Sequence, residues 1–179
     1  FRYTVGPTDL DLAGGFTLSS PLELNSATMK DGSGNDMLLN YVLPVTSNLL
    51  IDGVAPLVTS QTAPADGTYL VGNTLDFTIT WNDIIQVSGT PRLELTLSTG
   101  TVYADYLSGD NSNTLTFRYT ILSSDQDLDG IGLNIGIDLN GGSLLDNADN
   151  PAELNFSDPG TTGINIDAIV SLITSVTPP

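Results

Sequence analysis

Apolar and polar residues alternate along most of residues 74–139. Leu75, Phe77 and Ile79 fall on one face of residues 74–80, and Leu93, Leu95 and Leu97 on one face of 92–97. This period-two pattern predicts half-buried β-strands, because successive side chains of an extended backbone point to opposite faces. Residues 101–107 follow across Ser98-Thr99-Gly100, a short Gly-containing loop suited to a hairpin. Leu115, Phe117, Tyr119 and Ile121 form the inward face of a strand over 114–121, with Thr116, Arg118 and Thr120 outward. Ile131, Leu133, Ile135, Ile137 and Leu139 alternate again; Gly132 and Gly136 on the other face predict a bend or the close approach of another backbone. Further strands are expected at 153–156 and 163–167, and Trp81, two residues after Ile79, should point inward. No stretch has a helical period. About seven short strands separated by Gly, Asn, Asp and Pro predict an all-β fold, an antiparallel β-sandwich.

The strand at 114–121 and the acidic loop behind it occur twice. Phe1-Arg2-Tyr3-Thr4-Val5 lies on Phe117-Arg118-Tyr119-Thr120-Ile121, and Asp9 and Asp11 on Asp125 and Asp127. The spacing then shortens by one residue between Gly14 and Leu22. Glu23-Leu24-Asn25 lies on Asp138-Leu139-Asn140, Asp31 on Asp146, Asn35 on Asn150, Pro44 on Pro159 and Ile51-Asp52 on Ile166-Asp167. The expected organisation is a tandem array: 1–50 as the C-terminal half of one repeat, 51–165 as a complete repeat, and 166–179 as the first strand of a third. A half repeat exposes unpaired strand edges and half a core, so something has to complete it.

Composition sharpens the picture. The formal charge of −17 comes from 21 acidic residues against four basic ones, and 18 of the acids are Asp against three Glu. Asp favours turns and binds hard cations, so the skew points to acidic loops and Ca²⁺ rather than acidic helices. Nucleic acid and anionic membranes are poor partners for such a surface. With no Cys and no His, disulfides, thiol chemistry and the common catalytic triads are excluded. No apolar run is long enough to span a membrane and no signal peptide begins at Phe1.

Several motifs occur in order: Pro64-Ala65-Asp66-Gly67-Thr68-Tyr69, Gly72-Asn73-Thr74-Leu75-Asp76-Phe77-Thr78, the Gly89-Thr90-Pro91 turn, Leu115-Thr116-Phe117-Arg118-Tyr119, the loop 125–130, and Leu139-Asn140-Gly141-Gly142. Together they resemble the SWM-type repeat of large bacterial surface proteins, a branch of the bacterial immunoglobulin-like extender domains found in tandem in giant adhesins. The resemblance covers the complete repeat and the back half in 1–50. It implies an immunoglobulin-like sandwich, neighbouring repeats or identical subunits as partners, and an extracellular location at the bacterial cell surface. Two positions depart from the pattern: Ala13 stands opposite Asp129, and Asp149 stands where the family's turn has Gly.

The acidic loop is the main candidate for chemistry. Asp125, Asp127 and Asp129 at alternate positions before Gly130 reproduce the first half of a calcium loop, although position 12 would be Gly136 and no helices flank it. The alternative is a solvated Asp-rich turn. Asp9 and Asp11 repeat two of the three acids. The resemblance also implies a Ca²⁺ clamp at the linker Ile51-Asp52-Gly53-Val54-Ala55-Pro56, with Asp52 joined by Asp66, Asp83, Asp31 or Asp36; the alternative is a Pro-containing linker without an ion. Acids are too common in this chain to identify a glycosidase pair. Lys30, the only lysine, has Leu145 opposite it in the second copy, which weakens an isopeptide reading. Trp81, Tyr103, Tyr106, Tyr69 and Tyr41 are candidates for stacking on a cell-surface glycan, against the plainer reading of core and edge packing.

The reading that follows is a non-catalytic structural extender of a cell-surface or secreted fibre. A second reading is a filament subunit joined by strand donation, with the apolar run 164–173 as donor. A carbohydrate-binding module is the third.

Overall fold

The computed structural model describes residues 2–170. Two compact units divide between Val54 and Ala55, the first spanning Phe1–Val54 and the second Ala55–Pro179. The division falls four residues beyond the expected 50/51 boundary.

The first unit is mostly irregular, with one antiparallel pair, β1 (Leu10–Asp11) and β2 (Ile51–Asp52). Turns organise the rest. Asp31 closes one by accepting from the Ser33 and Asn35 amides at 2.9 Å each and from Asn35 Nδ2 at 3.0 Å. These bonds, led by that to the Asn35 side chain, hold its carboxyl below the usual range.

The second unit is all-β and sandwich-like. Its strands are β3 (Val58–Thr62), β4 (Gly67–Tyr69), β5 (Thr74–Ser88), β6 (Arg92–Leu97), β7 (Gly100–Ser108), β8 (Ser112–Thr120), β9 (Gln126–Asp127), β10 (Gly132–Asp138), β11 (Ser143–Leu145) and β12 (Ile164–Asp167). A seven-stranded sheet runs β10-β6-β7-β8-β5-β11 with β3 also on β5, and a three-stranded sheet runs β4-β12-β9. Both sheets feed one core, where Leu75, Phe77, Ile79, Leu93, Leu95, Leu115 and Phe117 meet Ile164 and Ile166. Trp81 points inward as expected and donates Nε1–H to the Glu153 carbonyl at 2.9 Å.

The structure differs from the sequence reading in four places. β4 and β12 pair in parallel, a pairing the sequence reading did not identify, while the other strand pairs among the described residues are antiparallel as expected. β5 is fifteen residues long, extending well past Thr80. Its register on β8 shifts between Thr80 and Ile85, so Trp81 and Ile85 are buried four positions apart and Asn82-Asp83 is taken up in the irregularity rather than ending the strand. In β10 a similar shift between Leu133 and Ile137 turns Ile135 out of the core, while Gly136 bridges Asn155. Finally, Ile166 and Ala168, expected in a third repeat, are buried in the core of the second unit, with Ile166 between Tyr69 and Asp127. The later part of the 166–179 strand, and of the donor run to Ile173, lies outside the described residues.

Candidate functional site

The acidic loop begins where β8 ends. Asp125 and Asp127 are two apart in an extended stretch, so both side chains turn to the interior, and both are buried. Oδ2 of Asp125 accepts from Tyr119 O–H at 2.5 Å and from the Leu122 amide at 2.7 Å, closing a turn in which the Asp125 amide donates back to the Leu122 carbonyl at 3.1 Å. Burial first, then the bond to Asp125, pushes the Tyr119 phenol well above its ordinary range. Asp127 reaches the β6–β7 hairpin, where Oδ2 accepts from the Ser98 amide at 2.9 Å. Its Oδ1 is buried with no donor among the described residues. Asp129 is exposed.

These three carboxylates do not converge: among the described residues, no group of three possible metal ligands within 4.8 Å of one another includes them. Gly130 has its own structural reason. It sits at φ +102°, and an ideal Cβ there would lie 2.2 Å from the Thr162 carbonyl oxygen. The first unit carries a related arrangement, with Asp9 Oδ2 accepting from Tyr3 O–H at 2.5 Å and the Gly6 amide at 2.7 Å. Those bonds, Tyr3 first, lower the Asp9 carboxyl, and the same contact raises the Tyr3 phenol. Asp11 accepts from the Ala13 amide at 3.3 Å.

Of the expected clamp residues, Asp52 belongs to the first unit and its Oδ1 accepts from the Val54 amide at 3.1 Å. Asp31 closes its own turn, and Asp36 pairs with Lys30. Asp66 and Asp83 belong to the second unit. The Asp66 carboxylate lies over Gly163, where an ideal Cβ would come within 2.3 Å of it. Asp83 Oδ1 accepts from the Ile84 amide at 2.6 Å, and a carboxylate oxygen of Asp146 lies within 4.8 Å of its own. Asp146 is a site residue the sequence reading passed over. It is buried, accepts from the Ala148 and Asn150 amides at 2.8 Å each, and takes Asn150 Nδ2 at 2.9 Å. The match of Asp31 to Asp146 was the signal for it.

The aromatic candidates are spread over separate contacts. Trp81 is in the core, and Tyr103 lies under the Arg92 guanidinium at 3.8 Å. Tyr106 meets Phe117 edge-on at 6.3 Å, and its hydroxyl accepts from the Asp110 amide at 2.8 Å. Tyr69 and Tyr41 donate to the Ala65 and Ser19 carbonyls at 2.8 and 2.7 Å.

The first unit holds an apolar groove of about 810 Å³ lined by Tyr3, Val5, Phe16, Leu18, Leu49 and Leu50 among others. A polar cleft of about 440 Å³ in the second unit is lined by Thr59, Gln61, Glu153, Asn155 and Ser157 with Val58 and Phe156. Among the described residues no helix is long and apolar enough to cross a membrane. No family model, curated protein or solved structure matches the chain.

Proposed function

We propose that this chain is a non-catalytic extender segment of a repetitive bacterial cell-surface or secreted fibrous adhesin, built from tandem immunoglobulin-like repeats and stiffened by Ca²⁺. The observation that carries the reading is one bonding pattern found in both units. Tyr3 bonds Asp9 as Tyr119 bonds Asp125, both at 2.5 Å. Leu10 and Asp11 pair with Asp52 and Ile51 as Gln126 and Asp127 pair with Asp167 and Ile166. The Gly53 amide donates to the Asp9 carbonyl as Ala168 does to Asp125, and Leu22 to Leu39 as Ile137 to Leu154. Thr46 Oγ1 donates to the Phe16 carbonyl as Thr161 does to Ile131. The letters differ at Leu10/Gln126, Gly53/Ala168 and Leu22/Ile137, so the shared bonding supports the repeat reading beyond shared wording.

What recurs is a set of turn-closing and strand-joining bonds, which serves architecture. Repetition of a scaffold suits a spacer whose product is length. Force spectroscopy on the chain tests this: unfolding the second unit should release roughly 400 Å of contour at ~3.5 Å per residue in one cooperative step. Gradual yielding at low force would refute a load-carrying role.

Calcium belongs to the reading as a counter-ion of single buried or neighbouring carboxylates, and not as an ion on which Asp125, Asp127 and Asp129 converge. Asp127 Oδ1, buried without a donor, and the Asp83–Asp146 approach support it. Melts in EDTA, in Ca²⁺ and in Mg²⁺ test it. At free Ca²⁺ ~10–100 times the dissociation constant, each filled site adds about 1.4–2.7 kcal/mol. Identical melts in all three would remove calcium and leave a metal-free spacer. Strand donation gains less support, because Ile164, Ile166 and Ala168 would have to leave a core in which they are buried.

A further inference from the structure

We infer that the apolar face of residues 2–54 is a docking surface for the front half of a repeat patterned like residues 55–116, contributed by the stretch of the same polypeptide that precedes Phe1. The inference rests on the repeat reading above and names what completes the first unit.

Matched positions show what is lacking. No residue of 2–54 is buried. Tyr3 is 71% exposed where Tyr119 is 8%, Val5 48% where Ile121 is 1%, and Leu49 53% where Ile164 is 0%. In the second unit these positions share a core with Leu75, Phe77, Ile79 and Leu115, all from the front half, and Tyr119 lies opposite Leu75 in the β5–β8 ladder. The first unit has instead the apolar groove along Tyr3, Val5, Leu49 and Leu50.

Backbone edges and charge say the same. β12 has β9 on one side and β4 on the other, whereas among the described residues β2 has β1 alone, so the edge equivalent to the β4 side is open to strand addition. Arg118 holds Asp76 through two bonds of 2.6 Å across the β5–β8 ladder. Arg2, its counterpart, forms no ion pair among the described residues. The occupant therefore presents inward Leu, Phe or Ile at alternate positions and a carboxylate facing Arg2.

A second copy of this chain does not meet the need. Residues 1–179 hold two back halves and one front half, and that front half already lies on its own back half. Any exchange between copies leaves one back half open.

The test compares hydrogen exchange in the chain with that in a longer chain where a copy of residues 55–116 precedes Phe1. Amides of Tyr3 and Val5 should exchange rapidly in the shorter chain and ~10²-fold or more slowly in the longer one. Arg2→Asp in the longer chain should lose part of that protection, and Asp76→Arg in the added copy should restore it. Unchanged fast exchange at 2–54, with residues 55–170 still protected, overturns the inference, since the added half is identical to one that folds in place. Slow exchange already present in the shorter chain also overturns it: the face is then covered by a second copy if protection rises with concentration, and by the chain itself if it does not. Force spectroscopy judges the extender role separately, and that role can fail while docking holds.

Discussion

Tyr119→Phe removes one oxygen from the centre of the acidic loop. The lost bond runs from a buried phenol to a buried carboxylate at 2.5 Å, leaving Asp125 Oδ2 with the Leu122 amide alone. A buried hydrogen bond to a charged group contributes about 1.5–3 kcal/mol, and the ring's packing is unchanged by the substitution. For a unit of this size, roughly 3–6 °C of Tm accompanies each kcal/mol, so a loss near 2 kcal/mol lowers Tm by about 6–12 °C. Trp81, the only tryptophan and buried in the second unit, reports the transition by fluorescence. The phenol also gives a pH signature. Its folded pKa is raised, so its stabilisation is complete below the unfolded value of about 10 and is lost as pH climbs toward the folded one. The wild-type chain should therefore lose stability above pH ~10 more steeply than Tyr119→Phe does. The matched Tyr3→Phe cuts a bond of the same length at an exposed site and should leave the Trp81 transition unmoved. A Tyr119→Phe melt within about 1–2 °C of wild type, the effect expected of an exposed pair, would refute the claim that burial sets the strength of this contact.

Three further outcomes follow from single contacts. Gly130→Ala should destabilise by roughly 3 kcal/mol or more, because a positive φ and a backbone clash with Thr162 coincide; Gly72→Ala, at φ +82° with open space around it, should cost about 1–2 kcal/mol. Urea titrations of the two variants compare them directly. The bond from Arg118 holds the Asp76 carboxyl below its usual range, so its contribution is present above pH ~4 and is lost as pH falls through the folded value. Arg118→Met should return the Asp76 titration, followed by carboxyl NMR, toward that of an unpaired Asp, and the two chains should converge in stability in acid. If Asp83 and Asp146 share a calcium ion, Asp83→Asn should abolish the Ca²⁺-dependent rise in Tm while leaving the EDTA melt in place or slightly higher, since one of two neighbouring charges is gone.

The main strands were legible because alternation is a direct consequence of a backbone that is extended and half-buried. Leu75, Phe77, Ile79, Leu93, Leu95, Leu115 and Phe117 reached the core for the reason their spacing predicted. Where alternation failed, the backbone had shifted register. Ile135 turned outward across the β10 irregularity, and the second half of β5 stayed hidden because Asn82-Asp83 has the composition of a turn. The parallel β4–β12 pair was not legible, since nothing in either strand records the direction of its neighbour.

The acidic loop is the instructive case. Asp at alternate positions is a calcium signature only where the backbone curls, so that alternate side chains converge on a point. In an extended stretch the same spacing sends them in parallel to one face. The strand rule that placed Tyr119 and Ile121 inward therefore also governs Asp125 and Asp127, which turn inward, and Oδ2 of each is engaged, in Asp125 by Tyr119 and Leu122 and in Asp127 by Ser98. The second copy held the clue. With Ala13 in place of Asp129, the first loop still keeps the Tyr3–Asp9 bond and its turn. A feature that survives loss of the third acid is explained by the bonds both loops retain, and in the second unit those bonds tie the end of β8 to the start of β9.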